Sequence, residues 1–219
     1  YWRDSFRLAA PSRAELEAHM SFEGFEHLEA GLERGRGVIL GLPHLGCWDY
    51  GGAWLAAIGH PMTVVVEPLP GDALSAWFIE RRRAMGLTVV PLGPRAAPAV
   101  VGTLRAAGLV GLVCDRDLGG KGVTVSFFGE ETTLPAGPAT LALRTGAALV
   151  PAAVVDEPGG RHRAILRPAL DTTRNGALHE DVARITQALA VEMEALIRLA
   201  PEQWHLFQPN WPSDVKYGL

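Results

Sequence analysis

The sequence predicts a single α/β domain, residues 1–219, in which a mainly parallel, twisted central sheet is covered by helices on both faces. Short apolar runs rich in β-branched residues, and bounded by Gly or Pro, alternate with longer segments of helical period. This alternation is typical of a parallel sheet with helices on both sides. No linker, repeat or low-complexity tract divides the 219 residues, and this length fits one domain with a substantial core.

The apolar runs predict the strands. They lie at residues 38–42, 63–66, 87–91, 109–113, 123–128, 148–155 and 163–166. A Pro-Gly-Gly turn at residues 158–160 predicts that the last two strands form a hairpin. The run at residues 38–42 is apolar and closed by Pro43, which favours a buried strand at the centre of the sheet.

The segments between these runs predict the helices. They are two Glu-rich pieces within residues 13–32, then 48–58, 73–85, 97–107, 135–144 and about 180–200. The last helix has apolar residues three or four apart, which predicts a buried stripe. That stripe consists of Val182, Ile185, Leu189, Met193, Leu196 and Ile197.

Composition excludes some classes of protein. Hydrophobic residues make up 48% of the chain, and the net charge of −4 is dispersed, so no nucleic-acid partner is expected. Cys47 and Cys114 are the two cysteines, which implies no disulfide framework and favours a reducing compartment. No apolar run reaches the roughly 18 residues of a membrane span, and no signal peptide is visible.

The start of the chain and three aromatic residues bear on contact with a membrane surface. The chain starts without Met, and Trp2 and Phe6 are four residues apart, so we expect that it starts within a helix and that an N-terminal, membrane-proximal segment is absent. Exposed Trp2, Trp77 and Phe78 are candidates for contact with a membrane interface, with ordinary packing as the alternative.

Residues 37–50 contain the active-site candidate. His44 follows the strand at residues 38–42 and precedes the helix at 48–58, so it lies at the carboxyl end of a central strand. Ligands of open α/β sheets bind at that edge. A neutral imidazole has a pKa near the operating pH, which makes His44 the best candidate for a general base.

A general base of this kind needs a carboxylate to orient it. Asp49 is close in sequence, but its place near a helix start also suits a helix cap. Asp115 follows the strand at residues 109–113 and lies at the same edge of the sheet as His44. We expect Asp115 to contact the imidazole and Asp49 to hold the helix start. The alternative is a buried structural His44 bonded to the backbone.

Other motifs give weaker signals. No Gly-x-Ser-x-Gly elbow is present, and the Gly-Gly-Lys-Gly loop at residues 119–122 departs from a phosphate-binding loop. His44, Cys47 and Asp49 can be drawn as a zinc site, but no Cys-x-x-Cys or His-Glu-x-x-His supports it, so we expect no metal. Cys47 is expected to be a small packed residue rather than a nucleophile.

Charged and aromatic residues elsewhere have ordinary explanations. Glu67 with Arg82, and Arg116 with Asp117, are candidates for solvated ion pairs at strand ends. The C-terminal aromatic residues are expected to form core or lid packing rather than a ligand cage. They are Trp204, Phe207 and Trp211.

Several blocks of sequence resemble one enzyme family. PHLGCWD at residues 43–49 resembles the H-x4-D box of glycerolipid and lipid A acyltransferases. CDRD (114–117), FFGE (127–130), PAGPA (135–139) and TGAALVP (145–151) are similar to later blocks of the lipid A late-acyltransferase superfamily. WHLFQPNW (204–211) is most similar to its actinobacterial phosphatidylinositol mannoside acyltransferase branch. H-x4-D alone is a modest signal, but the five blocks between residues 43 and 151, in the same order as in the superfamily, are a strong one.

This resemblance implies a glycerolipid acyltransferase-like fold and an acyl-CoA-dependent O-acyltransferase. It implies transfer of a fatty acyl chain, palmitoyl, to a mannose hydroxyl of phosphatidylinositol mannosides, at the cytoplasmic face of the plasma membrane with peripheral contact. Acyl-CoA would be a substrate, and no cofactor is implied. The alternatives are an acyltransferase for another glycolipid or lipid A-type acceptor, hydrolysis of the thioester with water as acceptor, and a non-catalytic acyl-CoA- or lipid-binding module.

The resemblance also implies roles for single residues. His44 would be the general base, Asp49 the acid of the motif, and Asp115 would occupy a position where the mannoside branch pairs a glutamate with the histidine. Here the side chain is one methylene shorter. Residues implied or considered as substrate-binding are Glu67, Arg82 and Arg116. The sheet–helix interface behind Leu45, Trp48 and Leu55 is expected to form the wall of an acyl groove.

Overall fold

The computed structural model describes residues 12–67 and 71–214, with the side chain of residue 72 left aside. The strands are β1 (Met20–Glu23), β2 (Val38–Leu42), β3 (Met62–Val66), β4 (Thr88–Pro91), β5 (Leu109–Val113), β6 (Val123–Phe127), β7 (Glu130–Leu134), β8 (Ala148–Glu157) and β9 (Arg161–Leu166). The helices are α1 (Arg13–His19), α2 (Phe25–Glu33), α3 (Trp48–Ala57), α4 (Asp72–Ala84), α5 (Ala96–Arg105), α6 (Gly137–Thr145) and α7 (Leu178–Ile197), and a 3₁₀ turn (Pro201–Gln203) follows.

The main sheet has seven strands in the order β1-β9-β8-β2-β5-β3-β4. Strands β8, β2, β5, β3 and β4 are parallel neighbours, whereas β9 runs antiparallel to β8 and β1 pairs with β9 in parallel. The antiparallel step is the hairpin that the turn at residues 158–160 predicts. The α/β class with a mainly parallel sheet is therefore confirmed.

Strand β2 shows why helices cover both faces of the sheet. All of its residues are buried, and successive side chains enter opposite layers, as the period of a strand requires. Val38, Leu40 and Leu42 belong to a cluster packed with α1, α2 and α3. Ile39 belongs to a second cluster packed with α5, α6 and α7. A strand at the boundary between two apolar layers has no solvent-facing side, hence its continuous apolar sequence.

The buried stripe of the last helix is confirmed. Val182, Ile185, Leu189, Met193, Leu196 and Ile197 are all buried in α7. The helix spans Leu178–Ile197 rather than the predicted residues 180–200, because the chain tightens into the 3₁₀ turn soon after it. This turn starts the C-terminal segment that reaches the site described below.

Two short strands were not predicted. Strand β1 interrupts the segment predicted as two Glu-rich helical pieces, and it forms by pairing with β9 at the edge of the sheet. Strand β7 has the polar sequence Glu-Glu-Thr-Thr-Leu and forms an antiparallel pair with β6, outside the main sheet. Both are four or five residues long, and pairing with a distant or adjacent strand, rather than their own apolar pattern, stabilises them.

Of the three aromatic residues expected to contact a membrane, Trp77 and Phe78 lie among the described residues. Trp2 and Phe6 lie outside the described residues. Phe78 is buried, so the prediction that it is exposed is wrong, and Trp77 is half-buried with the Arg81 guanidinium 4.8 Å from its ring centroid. Across the part of the chain that the structure describes, no helix is both long and apolar enough to cross a membrane.

Candidate active site

His44 lies just beyond the carboxyl end of β2, in the middle of the main sheet. The short segment that follows is fixed by backbone contacts, with Gly46 bridged to Val154 of β8. Gly46 has a φ of 58°, and a Cβ added there would lie 1.9 Å from the Val154 carbonyl oxygen. Only glycine fits this approach. The residue is therefore necessary for the turn that carries the chain from His44 into α3.

Asp115 holds the imidazole of His44. Its Oδ1 lies 2.6 Å from His44 Nδ1, and its Oδ2 accepts the backbone N–H of His44 at 2.9 Å. The carboxylate is fully buried, while the His44 side chain is 26% exposed. Since a carboxylate only accepts, Nδ1 carries the proton and Nε2 carries the free lone pair. The predicted contact between Asp115 and the imidazole is confirmed.

The C-terminal segment completes this pair. The indole N–H of Trp204 donates to Asp115 Oδ2 at 2.8 Å, and Asn210 Nδ2 donates to the Asp115 carbonyl at 3.3 Å. The backbone N–H of His205 donates to the His44 carbonyl at 2.7 Å. Burial lowers the pKa of His205, so this second imidazole is neutral near pH 7. The tail thus fixes the positions of both His44 and Asp115.

From the sequence, only a packing role is predicted for these C-terminal aromatic residues. Trp204 and Trp211 do pack on each other and on Phe127 and Phe128, as expected. Phe207 is 76% exposed, so core packing is wrong for this residue, and lid packing stays a prediction. The hydrogen bond from Trp204 to Asp115 had no signal in the sequence, because 89 residues separate the two and an indole N–H suits many environments.

Asp49 has a different partner from the one expected. It lies in the first turn of α3, but Cys47 is the N-cap residue and makes no side-chain capping bond. The Asp49 carboxylate instead accepts two hydrogen bonds from Arg82 of α4, at 2.7 Å from Nε and 3.1 Å from Nη2. Both side chains are largely buried. The pair joins α4 to α3, a contact that the sequence did not predict, while the place of Asp49 in the first turn of α3 agrees with the expected position at the helix start.

At the strand ends, the charged residues have partners other than the predicted ones. Arg116 Nη2 donates to Glu67 Oε2 at 2.5 Å, which connects the ends of the neighbouring strands β5 and β3. Asp117 accepts the backbone N–H groups of Gly119 and Gly122 and the hydroxyl of Thr133. The pair of Arg116 and Glu67 was not predicted, because it depends on strand order, which brings β3 beside β5 and is a tertiary property.

Arg116 retains hydrogen-bonding capacity at this edge. Its Nε is buried and has no hydrogen-bond partner among the described residues, although its Nη2 binds Glu67. The residue follows Asp115 directly, so its guanidinium belongs to the same loop as the carboxylate that holds His44. A guanidinium in this position can bind an anionic group such as a phosphate.

A small apolar cavity of about 30 Å³ lies beside the site, between the sheet and helices α2 and α3. Trp48 and Leu55 line it, which agrees with the expected acyl wall, together with Phe22, Phe25 and Trp54. Leu45 lies instead in a separate buried cluster with Trp204. The Trp48 ring also packs edge-on against the His44 imidazole, with 5.6 Å between centroids. Trp48 therefore borders both the cavity and His44.

The zinc constellation considered from the sequence does not assemble. The His44 imidazole is directed to Asp115 and Asp49 to Arg82. Among the described residues, the group whose donor atoms converge as a metal would require is Cys47 with Asp156 and His162, and Cys47 is more than 100 positions from the other two in the sequence.

Comparison with known proteins gives the family. Residues 1–213 match the family described as bacterial lipid A biosynthesis acyltransferase. The chain is 41% identical over 218 residues to a phosphatidylinositol mannoside acyltransferase of Mycolicibacterium smegmatis, covering 98% of this chain and 70% of that protein. It is 40% identical over 220 residues to the protein of the same name from Mycobacterium tuberculosis H37Rv, covering 98% of this chain and 68% of that protein.

A more distant relative extends the comparison beyond these organisms. The chain is 27% identical over 201 residues to a lipid A biosynthesis acyltransferase of Haemophilus influenzae, which covers 90% of this chain and 60% of that protein. The family match includes every block that the sequence analysis compared with this superfamily. The chain therefore belongs to the bacterial lipid A biosynthesis acyltransferase family and is an acyltransferase.

Proposed function

We propose that the protein transfers a fatty acyl chain, palmitoyl, from acyl-CoA to a mannose hydroxyl of phosphatidylinositol mannosides, with His44 as the general base. The acceptor is inferred from the names of the relatives that are 40% and 41% identical over nearly the whole chain. The mechanism is inferred from one observation. The imidazole of His44 is oriented by the buried carboxylate of Asp115, with Nε2 left as the basic nitrogen.

The reaction proceeds by direct attack of the acceptor. His44 Nε2 takes the proton of the mannose hydroxyl as its oxygen attacks the thioester carbonyl carbon. Asp115 stabilises the imidazolium that forms. The tetrahedral intermediate collapses, the carbon–sulfur bond breaks, and the CoA sulfur receives the proton from His44. The acyl group ends on the mannose oxygen, and the imidazole returns to its neutral form.

The charged residues around the pair have separate roles in this proposal. Arg116 binds a phosphate of the acceptor or of CoA through its guanidinium, since its side chain is 17% exposed at this edge of the sheet. Glu67 holds the Arg116 guanidinium in place through its 2.5 Å contact. Arg82 and Asp49 act indirectly, because their paired side chains fix α4 against the helix that follows His44.

The acyl chain enters the apolar region behind Trp48. The cavity of about 30 Å³ holds only one or two water-sized groups, so a long acyl chain requires α3 and the aromatic residues around it to separate. The acceptor is a membrane lipid, and the protein therefore acts in peripheral contact with the membrane, at the cytoplasmic face where acyl-CoA is supplied.

A second acceptor class competes with this assignment. The 27% identity to the Haemophilus influenzae lipid A biosynthesis acyltransferase favours a glucosamine-based, lipid A-type acceptor. The two candidates share the donor and the base and differ only in the sugar. An experiment that offers both acceptors to the same preparation therefore distinguishes them.

The test is incubation with labelled palmitoyl-CoA and a panel of mannosylated, glucosamine-based and glycerol acceptors, with products identified by mass spectrometry. We expect acylated mannoside from the wild type and a loss of about 10²–10⁴ in rate for His44→Ala. His179→Ala, at an exposed position in α7, is the matched control and is expected to keep the wild-type rate.

Three results would contradict the proposal. Near-normal transfer by folded His44→Ala would exclude the general base. Equal acylation in wild type and in the Asp49→Asn, Asp115→Asn double variant, no faster than in a blank without protein, would favour a binding module without turnover. CoA released equally fast with and without a glycolipid would indicate hydrolysis, with water as acceptor.

A further inference from the structure

Three side chains of different chemistry converge next to the start of α3. They are the thiol of Cys47, the carboxylate of Asp156 and the imidazole of His162, and one donor atom of each lies within 4.8 Å of the others. We propose that these residues bind a divalent transition-metal ion, Zn²⁺, with a water molecule as the fourth ligand. This proposal does not depend on the acyl donor or acceptor proposed above.

The backbone fixes two of the three ligands. Asp156 of β8 and His162 of β9 are directly paired in the antiparallel ladder, so their side chains lie on the same face of the sheet. His162 Nδ1 and Asp156 Oδ1 are 2.9 Å apart. The ring of Tyr50 stacks on the His162 ring, with 3.9 Å between centroids, and holds the plane of the imidazole. The pair is thus oriented before any ion binds.

Cys47 is brought to this pair by the turn after His44. Its backbone N–H donates to the Val154 carbonyl at 3.1 Å, two residues before Asp156 on β8. The bridge between Gly46 and Val154 fixes the preceding residue as well. The thiol therefore comes from the N-cap of α3, and the ligand set joins this residue to strands β8 and β9.

The donor set matches the preferences of Zn²⁺. Thiolate, imidazole and carboxylate are its usual protein ligands, and three protein ligands with an open fourth position form a common geometry. Ligand atoms around tetrahedral Zn²⁺ are about 3.3–3.8 Å apart, as follows from bond lengths of about 2.0–2.3 Å. The donor atoms lie within 4.8 Å of one another, so the most separated pair must approach by at most about 1.5 Å to reach that separation.

The burial of the three side chains is compatible with a bound ion that remains accessible to water. Cys47 and His162 are buried, whereas the Asp156 side chain is 26% exposed. Asp156 therefore gives the ion a path of entry and leaves room for the water ligand. On binding, the Cys47 thiol loses its proton to solvent, because the thiolate is the ligand.

The proposed metal site lies beside the segments that position His44 and Trp204. The backbone N–H and carbonyl of Asp156 are both bound by the side chain of Gln203, at 2.7 and 2.9 Å. The Gln203 carbonyl accepts the N–H of Gly46. A metal bound here would join α3 to the β8–β9 hairpin beside the same loops that place His44 and Trp204. We expect it to stabilise this junction.

The test uses the purified protein, stripped with a chelator and then titrated with Co²⁺ as a spectroscopic probe and with Zn²⁺ for binding and stability. We expect one equivalent of metal, thiolate-to-Co²⁺ charge-transfer absorption, and displacement of Co²⁺ by Zn²⁺. At a Zn²⁺ concentration of about 100 times the dissociation constant, the melting temperature should rise by about 5–10 °C.

Single variants assign the ligands. Cys47→Ser should abolish the charge-transfer band, and Asp156→Asn and His162→Gln should each weaken binding about 10–100-fold, with folding checked by circular dichroism without metal. Cys114→Ser is the matched control, because that thiol is buried against the Leu42 carbonyl and Met193. Burial raises its pKa, which disfavours the thiolate, and its variant should keep the band.

The wild type alone can overturn the proposal. Absence of a thiolate-to-Co²⁺ band in the stripped wild-type protein would exclude the site, whatever the variants do. A band that persists in Cys47→Ser or disappears in Cys114→Ser would also exclude it. Equal affinity in Asp156→Asn and in wild type would remove the carboxylate from the ligand set and contradict the site as proposed.

Discussion

His44 and Asp115 are 71 residues apart in the sequence and 2.6 Å apart at their side chains. The register of two neighbouring strands explains this contact. Leu42 at the end of β2 is paired with Val113 at the end of β5, and each polar residue is the second after its strand. The Cys114 N–H donates to the Leu42 carbonyl and extends the ladder by one step. The parallel strands thus place the His44 imidazole and the Asp115 carboxylate at one edge of the sheet.

Loss of charge at Asp115 should reduce the rate of acyl transfer. Asp115→Asn is expected to lower kcat by about 10²–10⁴, because an amide cannot stabilise the imidazolium and can also bind the wrong tautomer of His44. Asp115→Glu keeps the charge and should retain more activity than Asp115→Asn. Steady-state kinetics on the purified variants measures both. Equal rates for the two variants would show that the charge of Asp115 has no part in the reaction.

Asp49 should affect stability more than chemistry. Asp49→Asn leaves the largely buried Arg82 guanidinium without its carboxylate, and the free energy of unfolding should fall by about 3–5 kcal/mol. We expect kcat per folded molecule to change less than about tenfold, in contrast to Asp115→Asn. Urea denaturation and kinetics on one preparation give both values. Removing both charges, in Asp49→Asn with Arg82→Gln, should recover part of the lost stability.

A result in which Asp49→Asn is fully stable but inactive would contradict this view. Asp49 would then act on the substrate rather than on the packing of α3 and α4. The comparison with Asp115→Asn is informative because both substitutions change one oxygen for an amide nitrogen at a buried carboxylate.

The hydrogen bond from Trp204 should matter for catalysis as well as for packing. Trp204→Phe keeps an aromatic ring but removes the N–H that binds Asp115 Oδ2. We expect a loss of about 1–3 kcal/mol in stability and a decrease in kcat on the order of tenfold, since Asp115 is held less firmly. Trp211→Phe is the matched control, because its N–H donates to the neutral carbonyl of Phe127.

The two tryptophan variants should therefore separate positioning from packing. Similar losses of stability are expected in both, but a decrease in kcat only in Trp204→Phe. Equal kinetic effects would mean that the aromatic cluster acts only as packing.

Asp181 should make the stability of α7 dependent on pH. The backbone N–H of Asn175 and the guanidinium groups of Arg184 and Arg174 hold the pKa of this buried carboxyl below its ordinary value. The unfolded chain then binds the proton more tightly, so this contribution is complete above the unfolded pKa and is lost as pH falls through the folded pKa. Asp181→Asn should be less stable than wild type near neutral pH.

That difference between Asp181→Asn and wild type should shrink as the solution is acidified below about pH 4. Urea denaturation at neutral and acid pH measures it, with Glu29→Gln at an exposed position of α2 as the control. A stability difference that is constant across this range would contradict the assigned charge interaction.

The fold class and the position of His44 could be predicted from the sequence for a definite reason. Strand β2 is apolar throughout because both faces of the sheet are covered, and a continuous apolar run closed by Pro43 is a local signal. His44 follows that run, so its place at the carboxyl edge needed no knowledge of other contacts. Strands β1 and β7 gave no comparable signal, because short strands with polar residues depend on the partner with which they pair.

The sequence by itself determined the alternation of strands and helices, the place of His44 and the resemblance to an acyltransferase family. Each of these depends on residues that are close together in the chain. Only the tertiary structure decided that Asp49 binds Arg82, that Arg116 binds Glu67 and that Trp204 holds Asp115. It also brought Cys47 to Asp156 and His162. These partners come from elements far apart in the chain, and strand order and register, which no local pattern encodes, set their distances.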